Sequence, residues 1–179
     1  MGVKGMYMQE FESIESQSVK IRKALKADIP VMQNVFRRAF LVCYGRFVPW
    51  KAVQHWVATD MGGQLVANEW ETFTVAEIAG QIVGILQVKG DFVHELWVDP
   101  DFQRRGIGAE LLAHAKTLIA KAGYLVAKVS VFVENENAVK FYLSQGWKPQ
   151  STEPDELVPG IVLNVMTLIK RSTIVNAVK

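Results

Sequence analysis

The chain has 179 residues, half of them hydrophobic and 21% charged, which suits one domain with a sizeable core. Twenty basic and 18 acidic side chains leave a net charge of +2 with no basic stripe, which argues against nucleic acid as the main partner. The single cysteine, Cys43, excludes an internal disulfide and a cysteine-based zinc site, and reads as a small buried hydrophobe on a helix. Residues 1–18 are polar and mixed, without a clear period, and are expected to form a flexible N-terminal arm or a short helix used in contacts. They lack the apolar core of a signal peptide, and no apolar run reaches the ~18 residues of a membrane span. The expected location is therefore the cytoplasm, with no membrane partner.

Val19, Ile21 and Lys23 begin a short first strand. Asp28 reads as a helix N-cap with Pro30 in the first turn. The stripe Val31, Met32, Val35, Phe36, Ala39, Phe40 and Cys43 predicts the helix that follows. Tyr44 to Trp50 breaks it, and a second helix is expected from Pro49 to Asp60, with Val53, Trp56 and Val57 inward. Met61 to Asn68, with Gly62-Gly63, reads as a loop. Glu71 to Ala79, Ile82 to Val88 and Phe92 to Val98 read as three successive antiparallel strands, the first two joined at Gly80-Gln81.

Asp99 to Leu112, DPDFQRRGIGAELL, joins that third strand of the meander to a strongly periodic helix. Ile107, Leu111, Leu112, Ala115, Leu118, Ile119 and Ala122 form its apolar stripe, and Gly123 closes it as a left-handed cap. A helix start leaves backbone N–H groups without partners at the positive end of the helix dipole. Gly106 and Gly108 let that backbone approach a ligand, and Arg104 and Arg105 add charge. The arrangement suits a phosphate or pyrophosphate, although glycine pairs also serve as plain turns before helices. The antiparallel lead-in and the absence of a third glycine, Leu111 standing in its place, disfavour a dinucleotide-binding unit.

Beyond the helix, Leu125 to Val133 reads as a buried strand, and Asn135 as the cap of a helix reaching Gln145, closed by Gly146. Trp147 begins another strand, Ser151 to Gly160 reads as an acidic loop, and Ile161 to Lys170 as the last strand. The division is an arm at 1–18, one domain at 19–170 and a tail at 171–179, with no internal repeat.

Val98 to Gly108, VDPDFQRRGIG, resembles without a gap the cofactor motif of the GCN5-related N-acetyltransferases, the acetyl-CoA-dependent GNAT superfamily. The likeness extends more loosely from about Ile21 to Ile169 and is specific between Phe92 and Trp147. It implies an α/β fold: a mixed, mostly antiparallel, splayed sheet of six to seven strands flanked by about four helices. It implies that the backbone from Arg104 to Ala109, namely Arg104, Arg105, Gly106, Ile107, Gly108 and Ala109, with Gln103, holds the coenzyme A pyrophosphate. The pantetheine arm would pair with the backbone of Leu96, Trp97 and Val98, the Val98 N–H facing the thioester oxygen.

Asn135 to Tyr142, NENAVKFY, resembles the family pattern N-x-x-A-x-x-x-Y. Asn135 and Tyr142 are seven residues apart and share one helix face. The resemblance implies that Asn135 and Ala138 meet the coenzyme arm and that Tyr142 protonates the leaving sulfur. Asn135 also suits a plain cap, and Tyr142 a core aromatic. His94 and Glu95 are adjacent, so a regular strand points them to opposite faces. His94 shares parity with Phe92, Leu96 and Val98, and the resemblance, in which several members carry a histidine or glutamate on this strand's active face, implies that it is the base, or else an orienting group for the substrate; Glu95 is expected at the helix layer or solvent. In the family the loop after the first helix walls the acceptor site, so Tyr44, Arg46, Phe47 and Trp50 are expected there. Ser130 stands where the branch that acetylates protein N-termini carries a glutamate.

His55, His94 and His114 show no ligand spacing, and no covalent acyl-enzyme signature appears. The expected activity is transfer of acetyl from acetyl-CoA, as co-substrate and without a metal, to a primary amine of a small molecule or peptide in a ternary complex. The alternative is a catalytically silent coenzyme A-binding sensor or interaction module. A homodimer through the last strands is common in the family and stays open.

Overall fold

The computed structural model describes residues 18–171. The expected arm, apart from Ser18, and the expected tail beyond Arg171 lie outside the described residues. Seven strands form one sheet: β1 (Lys20–Lys23), β2 (Phe73–Ile78), β3 (Gln81–Lys89), β4 (Phe92–Val98), β5 (Val126–Phe132), β6 (Lys148–Val158) and β7 (Ile161–Arg171). Their spatial order is β1-β2-β3-β4-β5-β7-β6. Every neighbouring pair is antiparallel except β4 and β5, which run parallel. That parallel pair is short. It holds only at Phe92 opposite Lys128 and Val93 opposite Val129, and beyond Val93 the two strands part. The splayed, mostly antiparallel sheet is the architecture expected from the sequence.

Among the described residues, five α-helices flank the sheet: α1 (Ile29–Tyr44), α2 (Trp50–Thr59), α3 (Met61–Glu69), α4 (Ile107–Lys121) and α5 (Glu136–Ser144). Side chains alternate across a strand, so each face builds its own core. On one face α1 inserts Met32, Val35, Phe36 and Phe40 against Phe73, Val75 and Ile85. On the other, α4 inserts Ile107, Leu111, Leu112, Ala115 and Ile119 against Val83, Leu86, Val93 and Val129. Gly84 lets α4 close on β3: a Cβ there would stand 2.9 Å from a Leu111 methyl.

Four local expectations need correction. Met61 to Asn68 is not a loop but helix α3, which continues from a left-handed Asp60 at φ 46°. Its glycines are there for packing: a Cβ on Gly62 would collide with the Phe36 ring, and one on Gly63 with the Arg37–Asp60 ion pair. Ser151 to Gly160 is not a loop either, since β6 runs through Val158. Every residue from Lys148 to Glu156 is exposed, because β6 is an edge strand; its polarity reflects solvent on both faces, not irregular backbone. Asp28 does not cap α1 with its side chain. Its carboxylate accepts from the Leu25 N–H at 2.7 Å and from Arg22 at 2.6 Å. Val57 faces solvent, 61% exposed. Among the described residues, no helix is long and apolar enough to cross a membrane.

Candidate active site

A cleft of about 690 Å³ opens where β4 and β5 part. It runs from the turn before α4, past the facing edges of β4 and β5, to α5 and the end of α1. A smaller cavity of about 190 Å³ between α1 and α2 is lined chiefly by Phe36, Phe40, Leu41, Trp56 and Val57, and lies apart from these groups.

The turn at one end is a backbone cradle. Asp99 caps the short 3-10 turn Pro100–Phe102, accepting the Asp101 N–H at 3.0 Å. Arg38, on α1, donates to Asp99 and to Asp101, both at 2.8 Å, and so ties the turn to the helix across the sheet. Gln103 donates its Nε2 to the Val98 carbonyl at 3.0 Å. Arg104 and Gly106 both take left-handed backbone, at φ 65° and 84°. This curls the chain so that α4 starts at Ile107. Ala109 spends its N–H on the Gly106 carbonyl at 2.9 Å. Among the described residues, the N–H groups of Arg104, Arg105, Gly106, Ile107 and Gly108 donate to no protein group. Ala109 therefore lines the cleft without contributing an amide to that free set. The Arg105 guanidinium lies 5.1 Å from the centre of the Phe102 ring, and Arg104 is exposed. Successive free amides at a helix start, with arginines beside them, fit a diphosphate.

The middle of the cleft is the open edge of β4. The Asp99 N–H donates to Val83 of β3 at 2.8 Å. Backbone groups alternate along a strand, so the N–H of Val98 and of Leu96 turn the other way, into the gap left by β5. The Trp97 amide faces β3, and its side chain packs beside Phe36 and Tyr44, with ring centres 4.9 and 5.6 Å away. Asn135 caps α5 by accepting the Ala138 N–H at 3.2 Å, which leaves its amide N–H2 available. Ala138 and Tyr142 line the same wall one turn apart.

A carboxylate that the sequence parity set aside stands in this cleft. Gln87 pairs with Glu95, and the next pair is Val88 with Val93, so His94 is an extra residue on β4. This β-bulge breaks the alternation. Glu95 does not meet solvent: it lines the cleft on the α1 side, beside Trp97, with its side chain 16% exposed. Trp97 Nε1 donates to its Oε2 at 2.5 Å. Burial pushes the Glu95 carboxyl up to about 7, against the opposing pull of Trp97 and Lys89. Burial also raises Tyr142 and Tyr44 above the ordinary phenol range, and the Glu95 charge adds to both. The base-like and acid-like groups are thus electrostatically coupled across one cavity.

His94 also lines the cleft, 42% exposed, with Nδ1 3.7 Å from Glu95 Oε1. Burial, and then Lys89, hold its imidazole below the usual range. Tyr44 lines the cleft. Phe47 stands behind it, with ring centres 5.3 Å from Tyr44 and 6.4 Å from Phe132. Trp50 is not brought to the cleft; it opens α2 at 69% exposure. Cys43 is half-buried beside Gln103 in the cleft wall, where burial pushes its thiol up. Ser130 and Thr167 place their hydroxyls 3.4 Å apart on β5 and β7. Arg38 and Glu95 are the residues that sequence reasoning missed. The Arg38 clamp has no local signal, and the Glu95 orientation depends on a bulge that only pairing with β3 reveals. Among the described residues, no group of three or more His, Cys, Asp or Glu side chains is placed to hold a metal ion.

Residues 49–170 match the family model described as an acetyltransferase (GNAT) domain, more than half of the chain. An uncharacterized N-acetyltransferase of Methanocaldococcus jannaschii is 32% identical over 107 residues; the match spans 54% of this chain but only 45% of that protein. A spermidine N(1)-acetyltransferase of Thermoplasma acidophilum is 21% identical over 79% of this chain and 95% of its own length. The crystal structure of the PaiA N-acetyltransferase from Thermoplasma acidophilum, in complex with coenzyme A, superposes with a TM-score of 0.69 at 21% identity. It covers 84% of this chain and 98% of that one.

Proposed function

This chain belongs to the GNAT acetyltransferase family, and from that premise we propose that it transfers an acetyl group from acetyl-CoA to a primary amine by direct attack in a ternary complex. The observation that carries the reading is the junction of two features in one cleft. Free amides from Arg104 to Gly108 lie at one end, and Glu95 and Tyr142 share the other.

Acetyl-CoA supplies an acyl group already activated as a thioester; the residues of this chain do the rest. The cradle amides, with Arg104 and Arg105, hold the diphosphate. The N–H groups of Leu96 and Val98 and the side-chain amide of Asn135 hold the pantetheine arm. The Val98 N–H stabilises the oxygen that gains charge. Glu95 takes a proton from the amine, because a carboxyl at about 7 is both available and basic enough near neutral pH. His94, the base expected from strand parity, stands on the solvent side of Glu95. Tyr142, protonated at every physiological pH, gives a proton to the leaving sulfur. Tyr44 and Phe47 wall the acceptor side.

Two further features support an amine. Ser130 and Ser151 both pair with Thr167, and Glu153 and Asp155 follow Ser151 at alternate positions on β6. The face of the sheet that carries Ser130 therefore ends in two carboxylates with no ion-pair partner among the described residues, and these attract a cation. Ser130 leaves β5 without a carboxylate at the position a peptide N-terminus acetylating branch would use, which favours a small amine over a protein N-terminus.

The direct test is release of coenzyme A thiol from acetyl-CoA across a panel of small amines, polyamines and peptides, with the acetylated product identified by mass. Turnover with at least one small amine is expected. Tight coenzyme A binding with no thiol release across the panel contradicts the reading and leaves a sensor module.

A further inference from the structure

His94 and Glu95 are consecutive, yet they share one cleft because the bulge in β4 falls at His94. The two side chains stand at different depths. Glu95 is 16% exposed and His94 is 42% exposed, with Nδ1 of the imidazole 3.7 Å from Oε1 of the carboxylate. Oε2 is already taken by the Trp97 indole, so Oε1 is the oxygen left to exchange a proton. Tyr44 and Trp97 wall the inner side of Glu95 with aromatic rings 5.6 Å apart. A base so enclosed must shed its proton once per turnover, and the one basic side chain within 4 Å of its carboxylate, among the described residues, is His94.

We infer that His94 carries the proton taken up by Glu95 out to solvent, so that the bulged pair works as a two-step relay. The inference rests on the reading of Glu95 as the base. The proton leaves the amine nitrogen for Glu95 Oε1. The neutral carboxyl passes it to Nδ1 of a neutral imidazole, through one bridging water or after a small rotation of the ring that closes the 3.7 Å gap, and the proton on Nε2 leaves to water or buffer. Tautomer exchange or a ring flip restores His94. No bond other than these N–H and O–H bonds changes, and no electrons are transferred.

The groups facing His94 suit this task. Lys89 of β3 and Glu69 at the end of α3 stand near it, joined to each other at 2.7 Å, and Glu95 lies on its own strand. Partial burial, and then the Lys89 charge, hold the imidazole below its usual range, which favours the neutral form that can accept a proton. His94 therefore acts through Glu95, and its loss should slow proton exit without moving either substrate.

The experiment compares wild type, His94→Ala and His94→Gln at low and high concentrations of small buffers, including imidazole. At low buffer both variants should lose about tenfold in kcat, within the range for a single proton-transfer group. The KM for the amine and the affinity for acetyl-CoA should stay as in wild type, and imidazole should restore kcat for His94→Ala. A rise in amine KM with kcat intact would assign His94 to orientation and overturn the relay. Failure of imidazole to restore kcat, or full activity of both variants at low buffer, would also overturn it. Glu95→Gln separates the two readings. If it is inactive and unrescued while His94→Ala is unaffected, the relay alone fails; if Glu95→Gln is fully active, the base assignment fails with it.

Discussion

The coenzyme half and the acceptor half of the cleft are built on different principles. The coenzyme half is backbone: the stretch from Arg104 to Gly108 keeps its amides free, the open edge of β4 adds the Val98 N–H, and two left-handed residues set the curl. The acceptor half is side chains gathered from distant places: Tyr44 from the end of α1, Glu95 from a bulge in β4, Ser130 from β5 and Tyr142 from α5. A ligand shared by many enzymes can be gripped by main chain, which leaves a local pattern of glycines and turn residues. A variable acceptor is met by side chains, whose placement depends on register and packing.

Three substitutions sharpen that contrast, from the largest effect to the smallest. Tyr142→Phe keeps the buried ring and removes only the proton. Steady-state kinetics should show turnover down on the order of 10²-fold, with coenzyme A affinity unchanged. Equal turnover at pH 7 would remove Tyr142 from the acid role. Gly106→Val tests the backbone half by itself. A Cβ at Gly106 meets nothing within 4 Å, so the cost is conformational: a β-branched residue at φ 84°. Strain of about 1–2 kcal/mol corresponds to a roughly 5- to 30-fold loss of coenzyme A affinity by calorimetry. Unaltered affinity would mean that the curled amides do not hold the diphosphate.

The third substitution concerns stability. Burial raises Glu95 to about 7 in the fold, above its ordinary carboxylate value. Its contribution to stability is therefore complete below pH about 4 and is lost as pH rises through about 7. Glu95→Gln stays neutral throughout. It should raise Tm by about 5 °C over wild type at pH 8.5 and by nothing comparable at pH 4.5. The same gain at both pH values would show that the carboxylate is not desolvated.

The legible part of the molecule follows the same division. The stripe from Ile107 to Ile119, the Asn135 cap and the positive φ of Gly123 were all readable, because each depends on neighbours within a turn or two. Gly62-Gly63 misled because the same residue type serves turns and close helix contacts, and Phe36, which needs the room, is remote in sequence. Ser151 to Glu156 misled because an edge strand exposed on both faces carries no alternation. Glu95 was set aside because alternation from Leu96 and Val98 put His94 on their face, yet His94 is the extra residue of a bulge, and Glu95 shares the face of Trp97 that looks toward α1. Trp50 shows the converse: an aromatic in the right loop that the start of α2 turns to solvent.

The central claim is that Glu95, held near neutrality inside the splay of β4 and β5, takes the proton from the amine. It is tested most directly by the pH dependence of kcat/KM for the amine in wild type and in Glu95→Gln. The account predicts a wild-type limb rising with an apparent pKa of about 7, set by Glu95. In Glu95→Gln that limb should vanish, with activity lower by about 10²-fold or more above it. A variant that keeps both the limb and the rate would contradict the account.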